Sequence, residues 1–270
     1  MRLICWNLHA VPLIGVRVAQ RLKAAAAAID HEAADVVMLQ EIWTAEAFHV
    51  IQQSLGGNYT VMAGENGAGR NCGGLLTLLR RERWQNTRPA AFTRFTVAAP
   101  AWKFWQGDGL FRKGVLAVTT EHVASGRRMV FLNTHLQSQY GYFHADGVLR
   151  ARQAYVAERV AQLRDLEAVA RRYSDLLIVG GDFNTTPDEW PDMGLPHGWQ
   201  ELTAQLRMTG CLTYIEHTGP HSWYDYVFAQ PGDSECITAH ARLIENTAVD
   251  VPFSDHHGLV VELGLAPAQP

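Results

Sequence analysis

Apolar runs of five to nine residues recur along the chain, and most of them are closed by a polar residue. Residues 3–7 (LICWN), 34–40 (ADVVMLQ), 74–80 (GLLTLLR), 114–120 (GVLAVTT), 128–136 (RMVFLNTHL), 174–181 (SDLLIVGG), 223–229 (WYDYVFA) and 257–265 (HGLVVELGL) have the length and residue types of strands. Two stretches behave differently. Residues 16–31 and 148–173 combine strong helix formers with apolar positions three or four apart, which predicts helices over Val16–His31 and Val148–Tyr173. No Pro/Gly/Ser-rich linker divides the chain. One domain over residues 1–265 is expected, with 266–270 (APAQP) as a tail.

The order of these elements contains an internal echo. LICWNLH, a helix and DVVMLQE form one strand–helix–strand unit, and MVFLNTHLQ, a helix and DLLIVGGDFN form another. Two such units are expected to build two similar sheets packed face to face with helices outside, an α/β class. Composition adds little beyond this. The 270 residues are 47% hydrophobic, enough for a large core, and the net charge of −4 argues against unspecific grip on nucleic acid. Cys5, Cys72, Cys211 and Cys236 show no metal spacing and are expected as free thiols. No N-terminal apolar run has the length of a signal peptide or membrane span. A cytoplasmic monomer is the expectation, with a trimmed secreted form equally consistent.

The polar residues at strand ends change the picture. Asn7 ends the first strand and Glu41 the second; His135 ends VFLNTH; Asp182 and Asn184 follow LLIVGG; Asp225 lies in WYDYVF; Asp255 and His256 precede GLVVEL. Singly, each has an ordinary explanation: Asn7 as a turn former, Glu41 as a cap for a helix near Thr44, GGDFN as an Asx turn, His135 as a satisfied core histidine. Together they point to a site along one sheet edge. Carboxylate and amide oxygens without cysteine favour a hard cation, Mg²⁺ or Mn²⁺, over zinc, and there is no HExxH. Cation, imidazoles, amide donors and a further carboxylate suit phosphoester hydrolysis, with charge neutralisation, an activated water and a protonated leaving group.

Six ordered motifs carry a family resemblance: WNLH (6–9), LQEIW (39–43), NTHLQ (133–137), GGDFNTTP (180–187), YDYVF (224–228) and SDHHG (254–258). In this order they resemble the endonuclease/exonuclease/phosphatase superfamily, which includes deoxyribonuclease-like enzymes, across about residues 2–262. The resemblance implies a four-layer α/β sandwich, two packed mainly antiparallel sheets flanked by helices, and a Mg²⁺-dependent phosphodiesterase or phosphatase. It further implies Glu41 as principal metal ligand with Asn7 near the metal, Asp182 positioning or deprotonating water, Asn184 stabilising the transition state, His135 contacting phosphate or leaving group, and His256 as the catalytic histidine.

Softer motifs are similar to neutral-sphingomyelinase-like members: residues 7–22, GDGLFRKGV (107–115), and NTHLQSQYG followed by RARQ. They make Lys113 a candidate phosphate or head-group contact, against the alternative of a solvated loop lysine. The substrate reading is therefore a phosphodiester, in first place a phospholipid at a membrane surface. Trp102, Phe104, Trp105 and Phe111 beside Lys103 and Lys113 suit an interface, and equally suit packing under a long loop. Nucleic acid, with Arg80, Arg81 and Arg83 as the flanking cluster, and an inositol phosphate are the alternatives; an inactive binding module ranks last because every motif position is filled.

SDHHG poses one question of assignment. Neighbouring side chains in extended backbone face opposite ways, so Asp255 and His256 are poorly placed to bond each other. Asp225, one expected strand earlier, is the better orienting carboxylate for His256, and the family pattern implies the same. Asp255 then turns towards metal or water, and His257 faces away.

Overall fold

The computed structural model describes residues 1–11, 17–64, 67, 72–98, 112–139, 142–145, 148–151, 155–215, 221–230, 235–245 and 252–267. In chain order the elements are β1 (Arg2–Ala10), α1 (Val18–Glu32), β2 (Val36–Ile42), α2 (Ala45–Leu55), β3 (Tyr59–Met62) and β4 (Leu76–Arg80). There follow β5 (Trp84–Asn86), β6 (Ala91–Arg94), β7 (Gly114–His122), β8 (Arg128–His135), β9 (Tyr142–Ala145), β10 (Val148–Ala151) and α3 (Val156–Ala170). The chain continues with β11 (Leu176–Asp182), α4 (Trp190–Met193), β12 (Gln200–Glu201), α5 (Ala204–Arg207), β13 (Asp225–Gln230), β14 (Glu235–Ile244) and β15 (Gly258–Pro267).

Among the described residues these strands form two large sheets, ordered β14-β15-β1-β2-β4-β3 and β12-β13-β11-β8-β7-β5, with β6 also on β7. Each sheet is antiparallel except for one central parallel pair, β1 with β2 and β8 with β11. Those pairs are the two strand–helix–strand units of the sequence, because a parallel pair needs a crossover long enough for a helix.

Alternation along the strands sorts side chains into layers. On β1, Leu3 and Cys5 enter the core between the sheets, whereas Ile4, Trp6 and Leu8 pack outward with Leu22 and Ile29 of α1. On β2, Val36 and Met38 point inward, and Val37 and Leu39 pack outward with Ile51 and Leu55 of α2. The outer face of the second sheet is covered by α3, through Leu163, Leu166 and Val169. Helix, sheet, sheet, helix gives the four layers expected.

The Gly180–Gly181 pair lies in β11 and is not a turn. A Cβ on Gly180 would stand 2.2 Å from Met38 Cε of the facing sheet, so glycine allows the two sheets to approach closely just below the site.

Three expectations need correction. The predicted helix over Val148–Tyr173 begins only at Val156; Val148–Ala151 is strand β10, paired with β9. The intervening sequence contains Asp146-Gly147, a dipeptide that favours hairpins, and it outweighs the helical spacing. Strand β15 runs to Pro267, two residues into the expected tail. The helix near Thr44 is capped by Thr44 itself, whose side chain accepts from Ala47 N at 3.0 Å, so Glu41 is not needed as a cap.

Candidate active site

The C-terminal ends of β1, β2, β8 and β11 meet the N-terminal start of β13 and the approach to β15 along one edge. Asn7, His135 and Asp182 lie in phase with inward-facing neighbours on their strands, so alternation alone delivers them to the space between the sheets. Asp225 stands opposite Asp182 in the β11–β13 register.

Asp182 is the hub. Its Oδ1 accepts from the backbone N of Asn184 at 2.8 Å. Its Oδ2 accepts from Asn7 Nδ2 at 2.9 Å and lies 3.5 Å from His135 Nε2 and 3.7 Å from His256 Nε2. His256 Nδ1 is hydrogen-bonded to Asp225 Oδ2 at 2.7 Å, while Asp255 Oδ1 is 4.0 Å from its Nε2. Asn7 Nδ2 also donates to Glu41 Oε1 at 3.1 Å, and that oxygen lies 3.9 Å from His135 Nε2. Asn184, at φ 48°, donates through Nδ2 to Leu136 O at 3.2 Å.

Lys113 is buried rather than solvated. Its Nζ contacts His135 Nε2 at 3.0 Å and donates to Leu136 O at 2.7 Å and Ser138 Oγ at 3.1 Å. Asp255 is turned to the rim, with Oδ2 3.3 Å from His9 Nδ1. His257 is held by its backbone N on Thr213 O at 2.7 Å. The structure thus brings together Asn7, Glu41, Lys113, His135, Asp182, Asp225 and His256, with Asn184 and Asp255 at the margin.

Glu41 reaches this space against its parity. As the residue after inward-facing Gln40 it should face α1 and α2, yet it bonds to Asn7. Its backbone is left-handed, φ 63°, and the β1–β2 register slips between Asn7 and Ala10. That irregularity re-aims the carboxylate, at a cost of roughly 1–2 kcal/mol for a non-glycine residue.

Burial pushes the Asp182 carboxyl up to about 7, with the charge of His256 pulling the other way. For His256, burial alone would lower the pKa, but the carboxylates of Asp225, Asp182 and Asp255 raise it well above the usual value. His135 is driven well below its usual value by burial, then by Lys113 and His256, and is neutral. One imidazole therefore carries a proton towards the site and the other does not.

Glu41 Oε2 is buried and has no hydrogen-bond partner among the described residues. An orphaned carboxylate oxygen beside an amide fits a hard cation. Asp182, Asp225 and His256 also offer ligand atoms within 4.8 Å of one another, but the short His256–Asp225 bond occupies that trio with a proton. Asn7 fits as a ligand less directly, because its amide nitrogen faces the carboxylates while its oxygen accepts from His9 N at 3.0 Å.

Several supporting residues escaped the sequence reading. Arg21 of α1 is buried and donates to Leu8 O, His9 O and Phe253 O, tying the end of β1 to the SDH loop. Its signal was present: it shares the apolar helical face of Ala25 and Ile29. Ser254 Oγ donates to Asn7 O at 2.6 Å, and Trp6 Nε1 donates to His256 O at 3.0 Å. Thr213 Oγ1 accepts from the backbone N of Tyr224 and Asp225 and fixes the start of β13; nothing in its local sequence marks it. Gly258 also finds its reason here, since a Cβ would lie 2.9 Å from the Trp6 ring.

The sequence profile described as Endonuclease/Exonuclease/phosphatase family matches residues 4–256. The chain belongs to the endonuclease/exonuclease/phosphatase family. It is 26% identical over 196 residues to the inositol phosphosphingolipids phospholipase C of Schizosaccharomyces pombe, a match covering 72% of this chain and 41% of that protein. It is 25% identical over 291 residues to the sphingomyelin phosphodiesterase 2 of Rattus norvegicus, covering 96% and 63% respectively. The chain therefore spans less than two thirds of these relatives' lengths. Among solved structures, D. rerio TDP2 complexed with a single-strand DNA product superposes with TM-score 0.76 at 19% identity, covering 98% of each chain. SmcL superposes with TM-score 0.68 at 17% identity, covering 96% of this chain and 97% of that one. At such identities these structures establish the shared fold of the endonuclease/exonuclease/phosphatase family.

Within this family framework the arginine cluster lies elsewhere. Strand β4 runs antiparallel to β2, so Arg80 falls at the edge opposite the site, with its backbone N on Asp35 O. Arg83 pairs with Asp35 at 3.2 Å, and Arg81 donates to Gly56 O. None of the three flanks the edge that holds the candidate site. The aromatic loop of Trp102, Phe104, Trp105 and Phe111 lies outside the described residues.

Proposed function

We propose that the chain is a Mg²⁺- or Mn²⁺-dependent phosphoric diester hydrolase acting by in-line water attack, and that its substrate is a sphingomyelin-like phospholipid. The observation that carries the reading is the orphaned buried Oε2 of Glu41, set across from the Asp182–His256–Asp225 line. Cation-holding residues would be Glu41 first, then Asn7 and Asp255; a hard cation bound there supplies charge neutralisation at phosphate oxygens.

The remaining chemistry belongs to the chain. Asp182 Oδ2 accepts a proton from the attacking water, and its raised pKa brings it close to neutral pH, where a general base works best. His256, oriented by Asp225, holds a proton at Nε2 for phosphate or leaving group. Asn184, pinned through its backbone to Asp182, offers an amide to developing negative charge. Lys113 donates to Nε2 of neutral His135, and the pair brings the lysine's positive charge to the side of the site where the phosphate would lie.

The lipid reading is supported by the names of the two curated relatives, which both refer to sphingolipid phosphodiesters. The displaced arginine cluster removes the main sequence support for nucleic acid.

The test is a turnover panel of sphingomyelin, glycerophospholipids, supercoiled DNA and an inositol polyphosphate, with and without EDTA. Sphingomyelin turnover that vanishes with EDTA and in Glu41→Ala is expected; faster turnover of DNA would overturn the lipid assignment. A second expectation concerns the aromatic loop. Replacing Trp102 and Trp105 by Ala should weaken vesicle binding and lipid turnover and spare a soluble phosphodiester, and equal loss on both would count against interfacial docking.

A further inference from the structure

Gln40 and Asn133 are fully buried polar side chains in a mainly apolar seam between the sheets, among Cys5, Met38 and Phe131. Asn133 reaches across from β8 to the opposite sheet. Its Nδ2 donates both to Leu39 O of β2 at 3.0 Å and to Leu76 O of β4 at 2.8 Å. Its Oδ1 accepts from Gln40 Nε2 at 2.7 Å. A buried amide that makes three hydrogen bonds in this way is specific to one geometry, because any displacement strands several polar groups at once.

The location gives the clamp its meaning. Leu39 and Leu76 are the last register pair of β2 with β4 at this edge. Beyond them β2 bends from its neighbour and is next held by Ile42 N on Gly74 O. Between these two anchors sits Glu41 with its left-handed backbone, and on the other side the β1–β2 ladder slips. One amide from the second sheet therefore takes the two carbonyls where the β2–β4 ladder ends, one residue before Gln40 and two before Glu41.

We propose that Asn133 and Gln40 are positioning residues that hold the end of β2 in the shape that turns Glu41 inward, and so set the affinity of the site for its cation. Asn133 does the same for its own strand, since His135, two residues on, faces the same space. The inference rests on Glu41 being the cation ligand.

The test is Mn²⁺ binding to the full chain by calorimetry, with no substrate present, in wild type, Glu41→Gln, Asn133→Leu, Gln40→Met and Thr77→Val. Thr77 is buried on β4, one residue beyond Leu76, and its hydroxyl has no hydrogen-bond partner among the described residues, so it reports general loosening. Asn133→Leu should weaken Mn²⁺ by about tenfold or more, the range seen when groups supporting a ligand are removed, and Gln40→Met by less, about threefold, because the two Asn133 donor bonds remain. Thr77→Val should stay within about twofold of wild type, and excess Mn²⁺ should restore turnover in Asn133→Leu.

Wild-type affinity in both clamp variants, with binding lost in Glu41→Gln, overturns the clamp and leaves the Glu41 assignment standing. Wild-type affinity in Glu41→Gln removes the assignment itself. Equal weakening in Thr77→Val also overturns the clamp, by reducing it to general seam packing. Should Asn133→Leu fail to fold by circular dichroism, Gln40→Met decides.

Discussion

His256→Ala should lower kcat by about 10³-fold, whereas His257→Ala should stay within about twofold of wild type. The two imidazoles are neighbours in sequence, and their hydrogen bonds separate them. His256 Nδ1 is bound to Asp225 at 2.7 Å, its Nε2 is 3.7 Å from Asp182, and the ring packs on Tyr214. Three carboxylates hold it protonated despite its burial. For His257, by contrast, burial lowers the pKa, so it has no corresponding charge to lend. Asp225→Asn should reproduce most of the His256→Ala loss, because an amide that presents its N–H to Nδ1 imposes the wrong tautomer. Steady-state kinetics on the preferred diester, with circular dichroism as the folding control, reads all three. Comparable losses in His256→Ala and His257→Ala would mean the pair has been misassigned.

How much of this was legible beforehand depends on whether alternation or topology decided the position. Asn7, His135 and Asp182 could be placed from sequence because each lies in phase with inward-facing strand residues, and an apolar strand fixes its own faces. Glu41 could not be placed this way. Its parity points outward, and only a left-handed backbone and a register slip, both products of tertiary contacts, bring it in. Arg80, Arg81 and Arg83 failed for a different reason: which edge a strand end reaches depends on strand direction, which one sequence does not state. The clamp residues Gln40 and Asn133 stood inside quoted motifs, yet as polar residues in apolar runs they carried no signal of their partner across the seam. The start of α3 was lost to a hairpin dipeptide that helical spacing conceals.

Arg159→Leu should destabilise the fold by about 3–5 kcal/mol, on the order of 10 °C in Tm. Arg159 is a fully buried guanidinium on α3, bound through Nη2 to Glu189 Oε1 at 2.6 Å. Burial lowers its pKa and Glu189 opposes that effect, so the carboxylate compensates the buried guanidinium. Removing the arginine leaves Glu189 as an uncompensated charge inside the protein. That carboxylate is already committed: Oε2 accepts from Gln139 Nε2 at 2.5 Å and from Thr186 N at 2.8 Å. Gln139 in turn donates to Asn184 O at 3.0 Å. The cost therefore falls on the segment that carries Asn184, and kcat should drop in the same variant. Adding Glu189→Gln to Arg159→Leu should recover part of the stability, because the stranded charge is gone, but not the activity, because the acceptor for Gln139 and Thr186 is weakened. Thermal melts of the two single variants and the double variant measure this directly. A double variant no more stable than Arg159→Leu would locate the loss in packing of the α3 face instead of in the buried charge.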